Sequence, residues 1–482
     1  MDLLNMEVER SVKLRTITPS TGWQGKHALV IGAARQGIAV ARFLAERGAK
    51  VTLNDRQPIE ALTKAQQSLI DLPIKWIAGG HPLEALEGVD LICVSGGVPL
   101  DLPLILEAKR RGILLTNDSQ LLLENISATV IGISGSAGKT TTTTLVGRIA
   151  QAALQDYAAS IPYQRVWVGG NIGTPLIDQA HQISSIDLVV LELSSFQLEL
   201  MTCSPQIGAL LNITPNHLDR HGTMEAYIEA KARLIAYQQP SDVTVLNRED
   251  AVTWALRNRT TARLLTFGIN PPQAVNGTFV HKGTIYYTTQ NEWIPLLSIE
   301  EIELRGIHNL SNVLAACAIS IAANLPYQAC RAGIQGFRGV PHRLEFVRHW
   351  GGADWYNDSI ATAPERSMAA IRSFQQPIVL LAGGRDKDLP WESFAELVVQ
   401  RIRHLILFGE AAEKIKQAVE KADRQHRLPV TVCPGLYQAV EAAREIVREG
   451  DVVLLSPGGT SFDEFRDFEE RGECYRKWVM DL

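Results

Sequence analysis

Short apolar runs of β type alternate with helix-period stretches along most of the chain, and this alternation confines it to βαβ units built on parallel sheets. A strand at 27–32 feeds a glycine turn and an amphipathic stretch that stops at Gly48, and strands at 51–55 and 91–94 follow. A second series opens at 129–133 and continues at 188–191, 209–213 and 243–246. From 262 to 305 the texture changes to short strands with turn signals, among them 277–287, which predicts a small antiparallel addition. A third series carries 378–381, 404–408 and 452–455. At about 150 residues per domain, a length of 482 predicts three domains, set at 1–123, 124–340 and 341–482. The fold class expected is α/β: Rossmann-like first and third domains around a central phosphate-loop domain with a mostly parallel sheet.

Composition narrows the function. Hydrophobic residues make up 46% and charged residues 21%, the balance of ordinary globular protein rather than of long disorder. A net charge of −5 lacks the broad basic footprint of a dedicated nucleic-acid binder. No apolar run approaches the roughly 20 residues of a membrane helix. Residues 1–15 are charged throughout and have no apolar signal core, so a cytoplasmic location is expected. Cys93, Cys203, Cys317, Cys330, Cys433 and Cys474 are scattered without a Cys-x-x-Cys pair, which predicts reduced, packed thiols rather than disulfides or a zinc site.

Two glycine turns carry chemistry. The first, Gly32-Ala33-Ala34-Arg35-Gln36-Gly37, lies between a strand and a helix, where backbone N–H groups and the helix dipole stabilise phosphate. Asp55 ends the next strand, where a ribose or base contact forms in dinucleotide folds. Ala34 replaces the middle glycine of G-x-G-x-x-G, so a tight turn that only packs helix on strand remains an equal reading. The second turn, Gly135-Ser136-Ala137-Gly138-Lys139-Thr140-Thr141, supplies small residues for close approach, a lysine for phosphates and a hydroxyl for Mg²⁺, in that order. Its first glycine stands three residues before Gly138 rather than five, yet ATP binding is the better reading. Glu192 closes the strand 188–191, His217 follows 209–213, and Lys231 falls on an expected helix, 224–237. Taken singly these also read as a helix cap, a loop residue and a solvated face.

Together with the phosphate loop, Glu192-Leu-Ser-Ser-Phe-Gln, Leu-Asn-Ile-Thr-x-x-His217-Leu-Asp and Glu-Ala-Lys231 resemble the motifs of the Mur ligases of peptidoglycan synthesis. So do Gly306-Ile-His308-Asn309, Pro341-His-Arg343-Leu-Glu345 and Asn357-Asp358-Ser359, and the resemblance spans nearly the whole chain. The segment from Leu455 to Gly472 is similar to the C-terminal motif of the D-glutamate-adding branch, and the Asp-Asn-Pro-Arg motif of the diaminopimelate- or lysine-adding branch is absent.

The resemblance implies an ATP-dependent amide ligase that joins D-glutamate to UDP-N-acetylmuramoyl-L-alanine through an acyl phosphate. It implies Lys139, His217 and Lys231 as catalytic, and the loop residues Gly135 to Thr141 with His308, Asn309, Arg343 and Asp358 as the ATP site. Thr140 and Glu192 would hold one Mg²⁺ and His217 a second, with Lys231 joining them as a CO₂-derived carbamate. Gly32, Arg35, Gln36, Asp55, Arg56 and Asn171 would hold the UDP substrate, and Thr362, Lys387, Ser461 and Phe468 the D-glutamate. The three domains would then bind UDP substrate, ATP and amino acid in chain order, in a monomer with no nucleic-acid or membrane partner. Two departures stand out: Ile360 replaces a lysine common in this branch, and Arg35-Gln36 replaces small hydroxyl residues. Other readings left open are a different amino-acid ligase of the superfamily, including the folylpolyglutamate type, and a nucleotide-switch module.

Overall fold

The computed structural model describes residues 22–482 apart from 172, 274, 290, 291, 305, 387, 388 and 426, with the backbone alone at 219. The chain gathers into two compact units, one ending at Gln335 and one running Gly336–Leu482. Among the described residues no helix is long and apolar enough to cross a membrane.

The first unit carries two sheets. One is five-stranded and parallel throughout, in the order β3-β2-β1-β4-β5, from β1 (His27–Ile31), β2 (Lys50–Asn54), β3 (Ile74–Ile77), β4 (Leu91–Val94) and β5 (Leu114–Thr116). The order reverses at β1, so the crevice beyond its carboxyl end is the topological switch point where ligands bind in such sheets. The first glycine turn lies there.

The second sheet joins β6 (Thr129–Ser134), β7 (Arg165–Gly170), β8 (Asp187–Glu192), β9 (Ile207–Leu210), β10 (Val243–Asn247), β11 (Arg263–Phe267), β12 (Gly277–His281), β13 (Thr284–Thr288) and β14 (Trp293–Ser298). Its order is β14-β13-β12-β11-β10-β9-β6-β8-β7, which puts the switch point at β6 and the phosphate loop. The expected antiparallel addition from 262 to 305 is narrower than the sequence suggests. Strand β11 pairs in parallel with both β10 and β12, and only the β12–β13 and β13–β14 pairs are antiparallel.

One apolar cluster runs through both sheets of this unit, from Val30 and Val51 through Leu121 and Leu122 to Val130, Val189 and Leu191. The sheets are joined through the helix Asp118–Asn125, whose cap Asn117 accepts from Gln120 N and donates to the Gln197 carbonyl at 2.6 Å. A division at 123/124 falls in the last turn of that helix.

The second unit holds one six-stranded sheet ordered β15-β16-β20-β17-β18-β19. Its strands are β15 (Glu345–Trp350), β16 (Ala353–Asn357), β17 (Ile378–Gly383), β18 (Ile402–Phe408), β19 (Val430–Cys433) and β20 (Val452–Gly458). The pairing of β15 with β16 is antiparallel, an edge the apolar pattern does not announce. Trp355, Tyr475, Phe394 and Phe408 are fully buried on the two faces, and each of the two phenylalanines contributes about 1.5–3 kcal/mol by removal from water. Strands β20 and β17 lie side by side although β20 is last in the chain, so the segments leaving them share the carboxyl edge of the sheet.

Candidate active site

The phosphate loop turns from β6 into the helix Lys139–Asp156 through Gly138, whose φ of 82° is left-handed. A Cβ at that position would collide with the side-chain oxygen of Asn312. The loop is held from below by the Asn of the Leu-Asn-Ile-Thr motif: Asn212 accepts from Ser136 N through its carbonyl at 2.9 Å and from Ala137 N through Oδ1 at 2.8 Å. Its Nδ2 returns a bond to the Ala137 carbonyl at 3.0 Å. Ser136 Oγ meets the Thr214 carbonyl at 2.9 Å and the Tyr227 hydroxyl at 3.0 Å. Lys139 Nζ curls back to donate to the Gly135 carbonyl at 2.9 Å. Thr140 is buried and Thr141 half-buried in the helix's first turn, whose N–H groups lack intrahelical partners.

Lys231 is not on a solvated face. It is 1% exposed, on the helix Met224–Ala236, and its Nζ donates to the same Gly135 carbonyl at 3.0 Å and to Ser134 Oγ at 3.3 Å. The ammonium stands 4.8 Å over the Tyr227 ring. Burial, and then the charge of Lys139, hold its pKa well below the ordinary lysine value, against the pull of Glu192.

Glu192 ends β8 beside β6 and is 2% exposed. Its Oε1 accepts from Asn171 Nδ2 at 2.9 Å, whereas Oε2 is buried without a hydrogen-bond partner. Asn171, expected at the UDP substrate, is therefore also the brace of Glu192. His217 stands on an exposed loop seven residues past β9 in a left-handed conformation (φ 54°), its ring 5.1 Å from Phe196 and edge-on to it.

The apolar run at 313–321 starts after His308 and Asn309, yet the helix it belongs to begins before them. The helix spans Ile307–Ala322 and is entered through Gly306, so both residues lie in its first turn. The apolar pattern starts late because the first turn is exposed. Asn312, one turn on, accepts nothing from the loop but touches Gly138 and donates to Asn309 Oδ1 at 3.1 Å, which brings this helix end to the phosphate loop.

In the first sheet, Gly32 takes a φ of 97°, and a Cβ on Gly37 would run into the Gly32 carbonyl. Asp55 faces the turn, and its carboxylate accepts from Ala33 N at 2.7 Å and from Gln57 N at 2.9 Å, so it braces the loop. Gln36 bridges Gly96 N and Asp118, each at 3.2 Å. Asp118 is buried, and desolvation raises its pKa. Arg35 and Arg56 are exposed.

The second unit carries Arg343, Asp358, Thr362, Ser461 and Phe468. Lys387 lies outside the described residues. Arg343 is exposed between two left-handed non-glycine residues, His342 (φ 63°) and Leu344 (φ 43°). Asp358 accepts from Ser456 Oγ at 2.8 Å and Leu344 N at 3.2 Å, and burial pushes its pKa up to about 7. Phe468 opens the helix Phe468–Asp481, half-buried, and its carbonyl accepts from Ser359 Oγ at 2.8 Å. Ser461 is buried just past β20, and Thr362 is half-buried past β16.

Residues 26–117 match the MurD-like N-terminal domain of Mur ligases, 133–320 the Mur ligase middle domain, and 342–459 the Mur ligase glutamate ligase domain. The chain is 42% identical over 458 residues to a UDP-N-acetylmuramoylalanine–D-glutamate ligase of Symbiobacterium thermophilum, covering 95% of this chain and 98% of that one. A ligase of the same name from Geotalea uraniireducens is 38% identical with the same coverage. Among solved structures, the UDP-N-acetylmuramate–alanine ligase MurC of Thermotoga maritima shares the fold at a TM-score of 0.53 and 17% identity, over 95% of this chain and 99% of that one. MurF of Acinetobacter baumannii does so at 0.52 and 16%, over 97% and 93%.

Proposed function

Because this chain belongs to the Mur ligase family, on its MurD-like branch, we propose that it joins D-glutamate to the alanine carboxylate of UDP-N-acetylmuramoyl-L-alanine at the expense of ATP, in peptidoglycan precursor synthesis. The observation that carries the reading is the convergence of Lys139 and Lys231 on the Gly135 carbonyl, at the switch point of the second sheet.

A carboxylate repels nucleophiles and has no good leaving group. Attack of its oxygen on the γ-phosphorus of ATP gives an acyl phosphate and ADP. The glutamate amine then attacks the acyl carbon, phosphate leaves with the electron pair of the broken C–O bond, and the amine loses a proton. Two anions must meet in the first step, so cationic groups have to lie where the charge gathers. Lys139 supplies one. Its tie to the Gly135 carbonyl holds it at the loop, from which a phosphate displaces it.

The residues fit magnesium. The Thr140 hydroxyl and the buried, unpartnered Oε2 of Glu192 are hard oxygen ligands. When bound, Mg²⁺ neutralises charge on the phosphate oxygens. His217 is assigned to a second ion, and Lys231 to a carbamate formed with CO₂, in which an anionic oxygen replaces an ammonium beside the metals.

On this reading the first sheet takes the UDP substrate around Gly32, Arg35, Gln36, Asp55 and Arg56, the second takes ATP, and residues 341–482 take the amino acid at Thr362, Lys387, Ser461 and Phe468. The protein works as a monomer in the cytoplasm. The test is ADP release from ATP and Mg²⁺ with UDP-N-acetylmuramoyl-L-alanine and a panel of D- and L-amino acids. Stimulation by D-glutamate above all others is expected. Stimulation by alanine instead, or by glutamate only with a folate acceptor, overturns it.

A further inference from the structure

Arg471 lies in the C-terminal segment that resembles the D-glutamate-adding branch but is given no role there, and among the described residues it is the most completely buried cation of the second unit. It is 0% exposed, in the first turns of the helix Phe468–Asp481. Its Nε donates to Ser359 Oγ at 3.0 Å, Nη2 to the Ser359 carbonyl at 2.8 Å, and Nη1 to the Gly459 carbonyl at 3.2 Å. A Cβ on Gly384 would stand 2.8 Å from Nη1, so the turn leaving β17 closes over the guanidinium. All three acceptors are neutral, and among the described residues no carboxylate lies within ion-pair distance of it. Burial lowers its pKa to about 10, which leaves it charged at neutral pH.

A buried charge without a close counter-ion is costly, and an apolar side chain of similar volume would fill the space more cheaply. What an arginine alone adds is a planar fork that fixes several acceptors in one geometry. Here the acceptors sit at the roots of the segments assigned to the amino acid. Ser359 lies three residues before Thr362, and Gly459 two residues before Ser461. Phe468 starts the helix that carries Arg471, and its carbonyl takes the Ser359 hydroxyl that Arg471 also touches.

We infer that Arg471 is a positioning residue for the amino-acid substrate: its guanidinium locks the segments bearing Thr362, Ser461 and Phe468 into one site. The fixed positive charge behind those segments also favours an amino acid with a second carboxylate, where Ile360 brings no cation. The inference rests on the ligase reading above.

The test is steady-state ADP release by the full chain, titrating each substrate in turn. Arg471→Lys and Arg471→Met are both expected to raise the KM for D-glutamate about tenfold, the change that 1.4 kcal/mol produces, because a lysine cannot span both carbonyls. The KM values for ATP and the UDP-linked acceptor stay within about twofold. Ser359→Ala removes one acceptor and the tie to Phe468 without emptying the guanidinium site, and raises the same KM by about threefold; it carries the test if the arginine variants fail to fold. An unchanged D-glutamate KM, full rescue by lysine, or parallel loss for all three substrates overturns the role of Arg471. Absence of D-glutamate-dependent turnover in the parent protein overturns the ligase reading itself.

Discussion

The Lys231 ammonium lies 3.0 Å from the carbonyl of Gly135, the residue that opens the phosphate loop, and Lys139 reaches the same oxygen at 2.9 Å. Two amino groups on one acceptor disfavour each other's charge, and in the proposed carbamate form Lys231 would become an anion while Lys139 turns to phosphate. Lys231→Ala is expected to lose roughly 10²-fold or more in turnover. Formate or acetate should restore part of it by putting an anionic oxygen into the space vacated. A rate near that of the parent, checked beside a thermal melt, contradicts the role.

Gly138→Ala places a side chain where the backbone is left-handed and where Asn312 Oδ1 already stands. The left-handed conformation alone costs about 1–2 kcal/mol for alanine. The loop therefore shifts, and nucleotide affinity should fall more than overall stability does. Titration of a fluorescent ATP analogue measures the first and thermal denaturation the second; unchanged affinity contradicts the placement of the loop.

Asp358 makes stability depend on pH. Its folded pKa, about 7, lies above the ordinary 3.8, so the fold prefers the protonated acid. That contribution is complete below about 3.8 and is lost as the pH rises through 7. Asp358→Asn keeps a neutral group that accepts from Leu344 N and donates to Ser456. The variant should be more stable than the parent at pH 8, by on the order of 1–4 kcal/mol, with the gap closing toward pH 4. Thermal denaturation across that range reads it directly, and a gap that widens on acidification contradicts the burial of an ionised carboxylate. The same substitution should weaken ATP turnover if Asp358 meets the ribose.

The apolar runs announce β1, β4, β6 and β8 because these central strands are buried on both faces. They do not announce β5, which has three residues, or β7, whose Arg165 and Val168 are exposed on a sheet edge. The motif residues were likewise legible where spacing is local: loop glycines, Lys139 and Thr140 lie in one turn. Asn212 and Arg471 stand inside segments that resemble the family's motifs, but their structural roles were not legible. Those are set by bonds to Ala137, 75 residues away, and to Ser359, 112 residues away, which no local pattern marks. Lys231 shows the converse, since a lysine on an amphipathic helix reads as solvated until the fold buries it.

The measurement that bears most directly on the whole account is the mass of the product formed from UDP-N-acetylmuramoyl-L-alanine, ATP, Mg²⁺ and D-glutamate. The account expects a nucleotide sugar heavier by one glutamate residue, made in equal amount to the ADP released and absent with L-glutamate. An unchanged acceptor, whether or not ATP is consumed, contradicts it.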